Sequence, residues 1–374
     1  MTATRIPLFD LRLADEDVAA VEAVLRSGWL SMGPRTQAFE EAFAAHLGVR
    51  HALATSSCTA ALHLAYLAAG VGPGDEVIVP AITFVATAAA VRYCGAQPVL
   101  ADVLGPHDLG VDPADVEGRI TPRTKAVCAV HFAGYPVATE PLRALCERHG
   151  LALIEDTAHA PHLAPVGLAG AFSFFANKVL SCGEGGLVAT EDDDVAALVR
   201  SRRSHAMTAG TWDRYRGHAA GYDVTALGYN YRLDEARAAL LASRLPRLGD
   251  EIAARRALVH RYRALLAAVE GVTVPYRDEE VERSACYVMP IVIDEPAWRE
   301  PLREALSARG VQTSVLYPAV HEFAAYADQA TGGLRRAERL ARTEVTLPLY
   351  PHLTHADQDH VVQALDESVR ALRD

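Results

Sequence analysis

The amino-acid sequence predicts an α/β protein with a large, doubly wound, mainly parallel sheet followed by a smaller α+β unit. Three observations predict it. Short runs rich in β-forming residues alternate with helical stretches through roughly the first 235 residues. Beyond that point the alternation gives way to two successive helical patterns and a mixed tail. The chain has 374 residues, 50% of them hydrophobic, enough to bury a sizeable core in about two domains.

In chain order, Asp15 to Arg26 and Arg35 to Leu47 have amphipathic helical periodicity, the first ending at Ser27-Gly28. Strand-like runs follow at His51–Thr55, Glu76–Pro80, Gln97–Asp102, Lys125–Val130 and Leu151–Glu155. Between them Thr59–Ala69, Thr83–Tyr93 and Glu140–His149 read as helices, which makes the sheet mainly parallel. Two further runs, Gly170–Ala176 and Gly185–Thr190, extend it. Leu233–Leu245 and Glu251–Val269 are helices broken near Pro246, and Ile252, Leu258, Val259, Tyr262, Leu265, Leu266 and Val269 form the apolar stripe of the second. Strands near Ala285–Ile293 and Gln312–Leu316 and a helix at Ala356–Leu372 complete the smaller unit. The boundary falls near 250, giving domains of 1–250 and 251–374.

The formal net charge of -11 argues against non-specific nucleic-acid binding and against a polybasic membrane surface. Met1 to Asp10 has no apolar h-region, and no membrane span is expected. Cys58, Cys94, Cys128, Cys146, Cys182 and Cys286 are scattered with no CxxC pair, as expected of free thiols in a reducing cytoplasm. Of 36 cationic side chains only two are lysines, Lys125 and Lys178. Arg replaces Lys wherever a bare charge suffices, but its guanidinium stays protonated and cannot serve as a nucleophilic amine.

No GxGxxG follows a strand, and GxxxxGK[ST], GxSxG and HExxH are absent. Three segments carry chemistry instead. Thr55-Ser56-Ser57-Cys58-Thr59-Ala60-Ala61-Leu62 is a strand end entering a helix, either an ordinary N-cap or a site for a phosphate. Leu153-Ile154-Glu155-Asp156-Thr157-Ala158-His159 places Asp156 at a strand end, where it either caps a following helix or meets a ligand. Ser173-Phe174-Phe175-Ala176-Asn177-Lys178 precedes the glycine-rich turn Gly183-Glu184-Gly185-Gly186, a setting where a partly desolvated amine attacks carbonyls. Lys125, in a polar turn before a strand, reads as a solvated charge. A lysine, a buried acid and an anion site together suit pyridoxal 5'-phosphate, which needs one for its aldehyde, one for its ring nitrogen and one for its phosphate. Phe84, just past the strand end at Pro80, is a candidate for covering the ring, with core packing as the other reading.

At this point the chain resembles the DegT/DnrJ/EryC1/StrS sugar aminotransferase family of fold-type I pyridoxal-phosphate enzymes. The resemblance runs from Ser27-Gly28-Trp29-Leu30-Ser31-Met32-Gly33-Pro34 through Pro80 to Thr87, Glu155 to His159 and Ser173 to Gly186. It continues to Gly228-Tyr229-Asn230-Tyr231-Arg232-Leu233, Leu316-Tyr317-Pro318 and Leu347-Pro348-Leu349-Tyr350-Pro351. It implies that Lys178 forms the Schiff base, Asp156 pairs with the pyridine nitrogen, His159 stands against the ring or its 3′-oxygen, and Phe84 stacks. It further implies phosphate contacts from Cys58, Thr59 and Ser173, and from Asn230 of a second subunit, hence a homodimer with shared sites. Cys58 departs from the Gly or Ser common in the family, which leaves its backbone N–H as the dependable donor. Relatives with His in place of the lysine act as dehydratases, and Lys178 argues against that branch.

The implied reaction is a two-half transamination through pyridoxamine 5'-phosphate, with L-glutamate as donor, 2-oxoglutarate as co-product and a nucleotide-linked keto-sugar as acceptor. Trp29, Ser31, Tyr317 and His321 match segments that line the family's sugar pocket. His205 and Arg214 lie in an Arg/His-rich stretch, either a solvated loop or a source of diphosphate contacts. His159 and the Trp212-to-His218 stretch resemble members acting at C-4 of 4-keto-6-deoxyhexoses, so dTDP-4-keto-6-deoxyglucose is the leading substrate. A C-3 keto-sugar or a cyclitol precursor is the alternative. A non-catalytic cofactor-binding regulator, or a lyase or racemase on the same fold, are the readings of other classes.

Overall fold

The computed structural model describes residues 6–208, 217, 221–329 and 332–373. A seven-stranded sheet forms its centre, in the order β1-β9-β8-β7-β6-β2-β3. These strands are β1 (His51–Thr55), β2 (Glu76–Pro80), β3 (Gln97–Ala101), β6 (Thr124–Val130), β7 (Ala152–Asp156), β8 (Ala169–Ser173) and β9 (Gly186–Thr190). The pairs from β3 across to β8 are parallel, whereas β9 runs antiparallel to both β8 and β1. Every strand of the parallel set is Val-, Ile-, Leu- or Ala-rich, as expected where helices cover both faces of a sheet.

Helices α1 (Asp15–Ser27), α2 (Pro34–Leu47), α3 (Cys58–Ala68), α4 (Ala86–Tyr93), α6 (Thr139–His149) and α7 (Asp193–Arg202) surround this sheet, with a short α5 (Pro113–Gly118) and a hairpin of β4 (Val103–Gly105) and β5 (Asp108–Val111) at one edge. On β8 the two-residue side-chain period turns Phe172 toward α2 and Ser173 the other way. Phe172 and Phe174 meet Phe39 and Phe43 of α2 edge-on at 5.3–5.5 Å, an apolar anchor directly beneath the segment that carries Lys178. The start of α2 is closed by the chain itself. The buried Glu235 carboxylate accepts the amides of Gly33, Arg35 and Thr36 at 2.8 Å each.

The C-terminal part carries helices Glu235–Arg244, Leu248–Leu266, Arg299–Ala308, Arg335–Thr343 and His355–Arg373. It also holds an antiparallel sheet of β10 (Val272–Thr273), β11 (Met289–Ile293) and β12 (Glu344–Leu347), in that order. The helix break near Pro246 is a 3₁₀ turn at Leu245–Arg247. The strand expected at Gln312–Leu316 does not form. That segment makes a single bridge, Ser314 to Thr346, with Val311 just before it bridged to Ile6, and the third strand is Glu344–Leu347 instead. The helix expected from Thr83 starts at Ala86, because Thr83–Val85 form a loop whose hydroxyl has another use. Among the described residues no helix is long and apolar enough to cross a membrane.

Candidate active site

Strand register decides where the chemistry collects. β2, β6, β7 and β8 end on one edge of the sheet, and antiparallel β9 begins there, with Gly186 opposite both Thr55 and Ser173. The loops that leave this carboxyl edge enclose a cavity of about 320 Å³. Cys58, Thr59, Phe84, Asp156, His159, Ser173, Lys178 and Tyr317 all line it. Five stretches far apart in sequence thus converge on one space.

Asp156 sits at the end of β7, 5% exposed. No helix follows, so it caps none. One oxygen accepts the Thr87 hydroxyl at 2.8 Å and the other accepts the Ala158 amide at 3.1 Å. Thr83 hydroxyl in turn reaches Thr87 hydroxyl at 2.8 Å. Burial pushes the Asp156 pKa up, while these donors and the Lys178 ammonium work the other way. The carboxylate is therefore fixed in direction and gains from a further cation placed before it.

Lys178 lies in the loop between β8 and β9, whose base is closed by Phe174 and Cys182 backbone bonds. Its own amide donates to the Phe175 carbonyl at 2.9 Å. Desolvation pulls the Lys178 pKa down to about 8, opposed by Cys58 and Asp156. A substantial fraction of the amine is thus unprotonated in mildly alkaline solution, the form that attacks a carbonyl. Lys125, by contrast, is exposed at the start of β6.

At the start of α3 the Ser57 hydroxyl accepts the Ala60 amide at 3.2 Å, while the amides of Cys58 and Thr59 have no intrahelical acceptor. The Cys58 thiol donates to the Ala171 carbonyl at 3.6 Å, away from these amides, and burial keeps it protonated. A helix start with two open amides is an anion cradle. Gly186 makes room for it: a Cβ there would overlap the Ser57 carbonyl and the Cys58 amide. Gly186→Ala is expected to cost ~1–3 kcal/mol of stability as overpacking. It should also loosen phosphate capture, read as a lower melting temperature together with faster cofactor loss on dialysis.

His159 is buried and its pKa is pushed well below the usual value by desolvation and by the Lys178 charge, so the imidazole is neutral. The Tyr317 hydroxyl lies 3.1 Å from its Nε2. Donation from Tyr317 leaves the ring proton on Nδ1, which is buried without a hydrogen-bond partner. Asn177 Oδ1, also on the cavity wall, is likewise buried and unpartnered. Unpaired polar atoms around an apolar space, an oriented carboxylate, an amine and an amide cradle fit pyridoxal phosphate with its ring hydroxyl, ring nitrogen, aldehyde and phosphate. Phe84 is 54% exposed at the rim, its ring 5.6 Å from that of Tyr317.

Other predicted residues lie elsewhere in this single chain. Half-buried Trp29 packs by Gly33, Ser31 is exposed, and His321 turns toward Glu338 at 3.4 Å. His205 and Asn230 are exposed on paired segments joined by a Ser204–Asn230 bridge. None of these five lines the cavity. Arg214 lies outside the described residues. Sequence reasoning missed Thr87, whose hydroxyl reads locally as helix-start chemistry, and Tyr287, whose ring sits 4.4 Å from that of His159 and 4.3 Å from Lys178 Nζ.

Known proteins share this architecture. The chain is 36% identical over 373 residues to the spore coat polysaccharide biosynthesis protein SpsC of Bacillus subtilis, covering 96% of this chain and 95% of that protein. The aminotransferase TlmJ of Streptoalloteichus hindustanus superposes with a TM-score of 0.91 at 34% identity, covering 98% of this chain and 99% of the other. DesV of S. venezuelae, solved with a ketimine intermediate, gives 0.89 at 36% identity, covering 98% of each. The family model for DegT/DnrJ/EryC1/StrS aminotransferases matches residues 12–366, and this fold-type I chain, with a lysine, an acid and an anion cradle on one cavity, belongs to that family of pyridoxal-phosphate-dependent sugar aminotransferases.

Proposed function

We propose that this enzyme moves the amino group of L-glutamate to the C-4 carbonyl of a nucleotide-linked 4-keto-6-deoxyhexose, with dTDP-4-keto-6-deoxyglucose as the preferred acceptor. The observation that carries the amine chemistry is the Lys178 side chain, its pKa near 8, in one cavity with Asp156 and the open amides of α3. Relatives named for polysaccharide biosynthesis and for sugar amination support a sugar acceptor and a glycan or secondary-metabolite product. His159 where other members have Gln supports position C-4, through its resemblance to members that act there.

Bound pyridoxal phosphate supplies a carbonyl for the donor amine and a protonated pyridine ring that accepts an electron pair. Lys178 Nζ gives way to the donor amine, then takes the proton from the donor Cα. Asp156, fixed by Thr87 and Ala158, holds the proton on the ring nitrogen. Cys58 and Thr59 amides and the Ser173 hydroxyl bind the phosphate, His159 sets the ring's orientation, and Phe84 with Tyr317 screens the open side from water. Asn230, exposed here, completes the phosphate site of a partner subunit in a homodimer. Trp29, Ser31 and His321, which match segments of the family's sugar pocket, are proposed to meet the sugar, and His205 and Arg214 its diphosphate. Free thiols at all six cysteines support a cytoplasmic location.

Purified protein incubated with L-glutamate and a panel of 3-keto and 4-keto nucleotide sugars tests this, read by mass. The expected product replaces a 4-keto oxygen by an amine, with 2-oxoglutarate formed in equal amount. Amination of the 3-keto substrates alone would overturn the C-4 assignment.

A further inference from the structure

The ring of Tyr287 is placed with unusual firmness for a residue that no motif marks. It comes from the C-terminal part of the chain and reaches the cavity across a backbone stitch. Its amide donates to the Ala133 carbonyl at 3.1 Å, and the Ala285 amide donates to Gly134 at 3.0 Å. Gly134 has φ 93°, and a Cβ there would stand 2.9 Å from the His159 carbonyl and 3.0 Å from the Tyr287 amide. Cys286, between the two stitched residues, is itself left-handed at φ 47° and is held by the Ser284 hydroxyl at 2.9 Å. Such backbone persists only where its surroundings over-determine it.

The ring so placed is 6% exposed and stacks on the His159 imidazole at 4.4 Å and 21°. Lys178 Nζ stands over it at 4.3 Å from the centroid. An aliphatic side chain would fill the same volume; what only an aromatic adds is the negative face of its π-system toward a cation. His159 beside the ring is neutral, and the buried Arg255 guanidinium meets Tyr287 at its backbone carbonyl, 3.4 Å away. The charged and titratable groups facing the amine in this cavity are Asp156 from β7, the Cys58 thiol from α3, Glu184 from the 183–185 turn, and His159 with Tyr317 on the remaining wall; on its other side Lys178 shares a second cavity with Asp10, Arg12, Arg244, Glu251, Arg255 and His352.

We propose that Tyr287 is the seat of the free Lys178 ammonium: its ring face holds the amine, while it carries a proton, beside the reacting centre. Asp156 is committed to Thr87, Ala158 and the ring nitrogen before it, so it does not take this role. Tyr287 is thus a positioning residue acting on Lys178. The inference rests on the assignment of Lys178 as the reacting amine, and its test separates the two.

The test reads the amine rather than turnover. In the full-length protein freed of cofactor, the rate of trinitrophenylation at Lys178 is followed against pH and quantified by peptide mass, with exposed Lys125 as internal control. Tyr287→Leu is expected to lower the Lys178 midpoint by about half to one and a half pH units, in line with the strength of a cation–π contact. Tyr287→Phe, which keeps the ring, should leave the midpoint unmoved, and Lys125 should titrate alike in all variants. A midpoint unchanged or raised in Tyr287→Leu, or lowered equally in Tyr287→Phe, overturns the proposal. Tyr287→Met serves the same purpose if the Leu variant does not fold. The assignment of Lys178 itself stands or falls separately on a borohydride-sensitive visible band in the wild-type holoenzyme.

Discussion

Replacing Lys178 by Met should abolish the visible imine band and lower transamination by ~10²–10⁴-fold or more, since the residue proposed both to bond the cofactor and to move the proton is gone. The same change to Lys125, exposed on the opposite flank of the site's chemistry, should leave both intact. The cofactor-free protein should respond in the other direction. The folded-state pKa of about 8 lies below the unfolded value of 10.5, so the unfolded chain binds the extra proton between them. Stability contributed by the amine therefore rises as pH climbs from about 8 to 10.5, and below 8 the buried ammonium is a standing cost. Lys178→Met should raise stability at pH 7 by on the order of 1–3 kcal/mol, the upper figure holding for an amine fully cut off from water. The gain should fade above pH 10. Denaturant melts of wild type and variant at pH 7 and pH 10 check the sign, and equal stability at pH 7 would contradict it.

Asp156→Asn should separate electronics from attachment. The amide still accepts from Thr87 or Ala158, so the fold is retained and Lys178 still forms its band. It no longer offers a negative charge to hold the pyridine proton, and turnover should fall by ~10²–10³-fold, the scale of losing one preorganised electrostatic contact. Asp156→Ala adds a structural cost of ~1–3 kcal/mol, because two buried donors lose their acceptor. Stopped-flow half-reactions with glutamate, followed by band loss, distinguish slow chemistry from failure to bind. A band lost in Asp156→Asn would place the carboxylate's role in cofactor retention instead.

Much of this was legible because local chemistry and global position agree. β1, β2 and β9 fall within a residue of expectation, since each is a β-rich run bounded by Gly, Pro or polar residues. Lys178 stood out against a background of arginines, and Asp156 stood at the end of an apolar strand. What was not legible depends on pairing at a distance. Gln312–Leu316 reads locally as a strand, but Ser314 alone in it is bridged, to Thr346, and Glu344–Leu347 takes the place beside β11. Tyr287 carries no local mark; only the contact of 285–287 with 133–134 brings its ring to Lys178. Trp29, Ser31, His205, His321 and Asn230 do not line the cavity of this chain, and nothing local in the sequence separates them from the residues that do.

The stitch between 133–134 and 285–287 also has a mechanical side. Backbone bonds at both ends of a left-handed residue make that crossing a rivet between 133–134 and 285–287. Any opening that admits a bulky sugar must pivot about this rivet or occur on the far rim, where Phe84 and Phe175 stand exposed. The ring of Tyr287 is thereby anchored on the flank away from that rim, a fixed place to which the lysine can return.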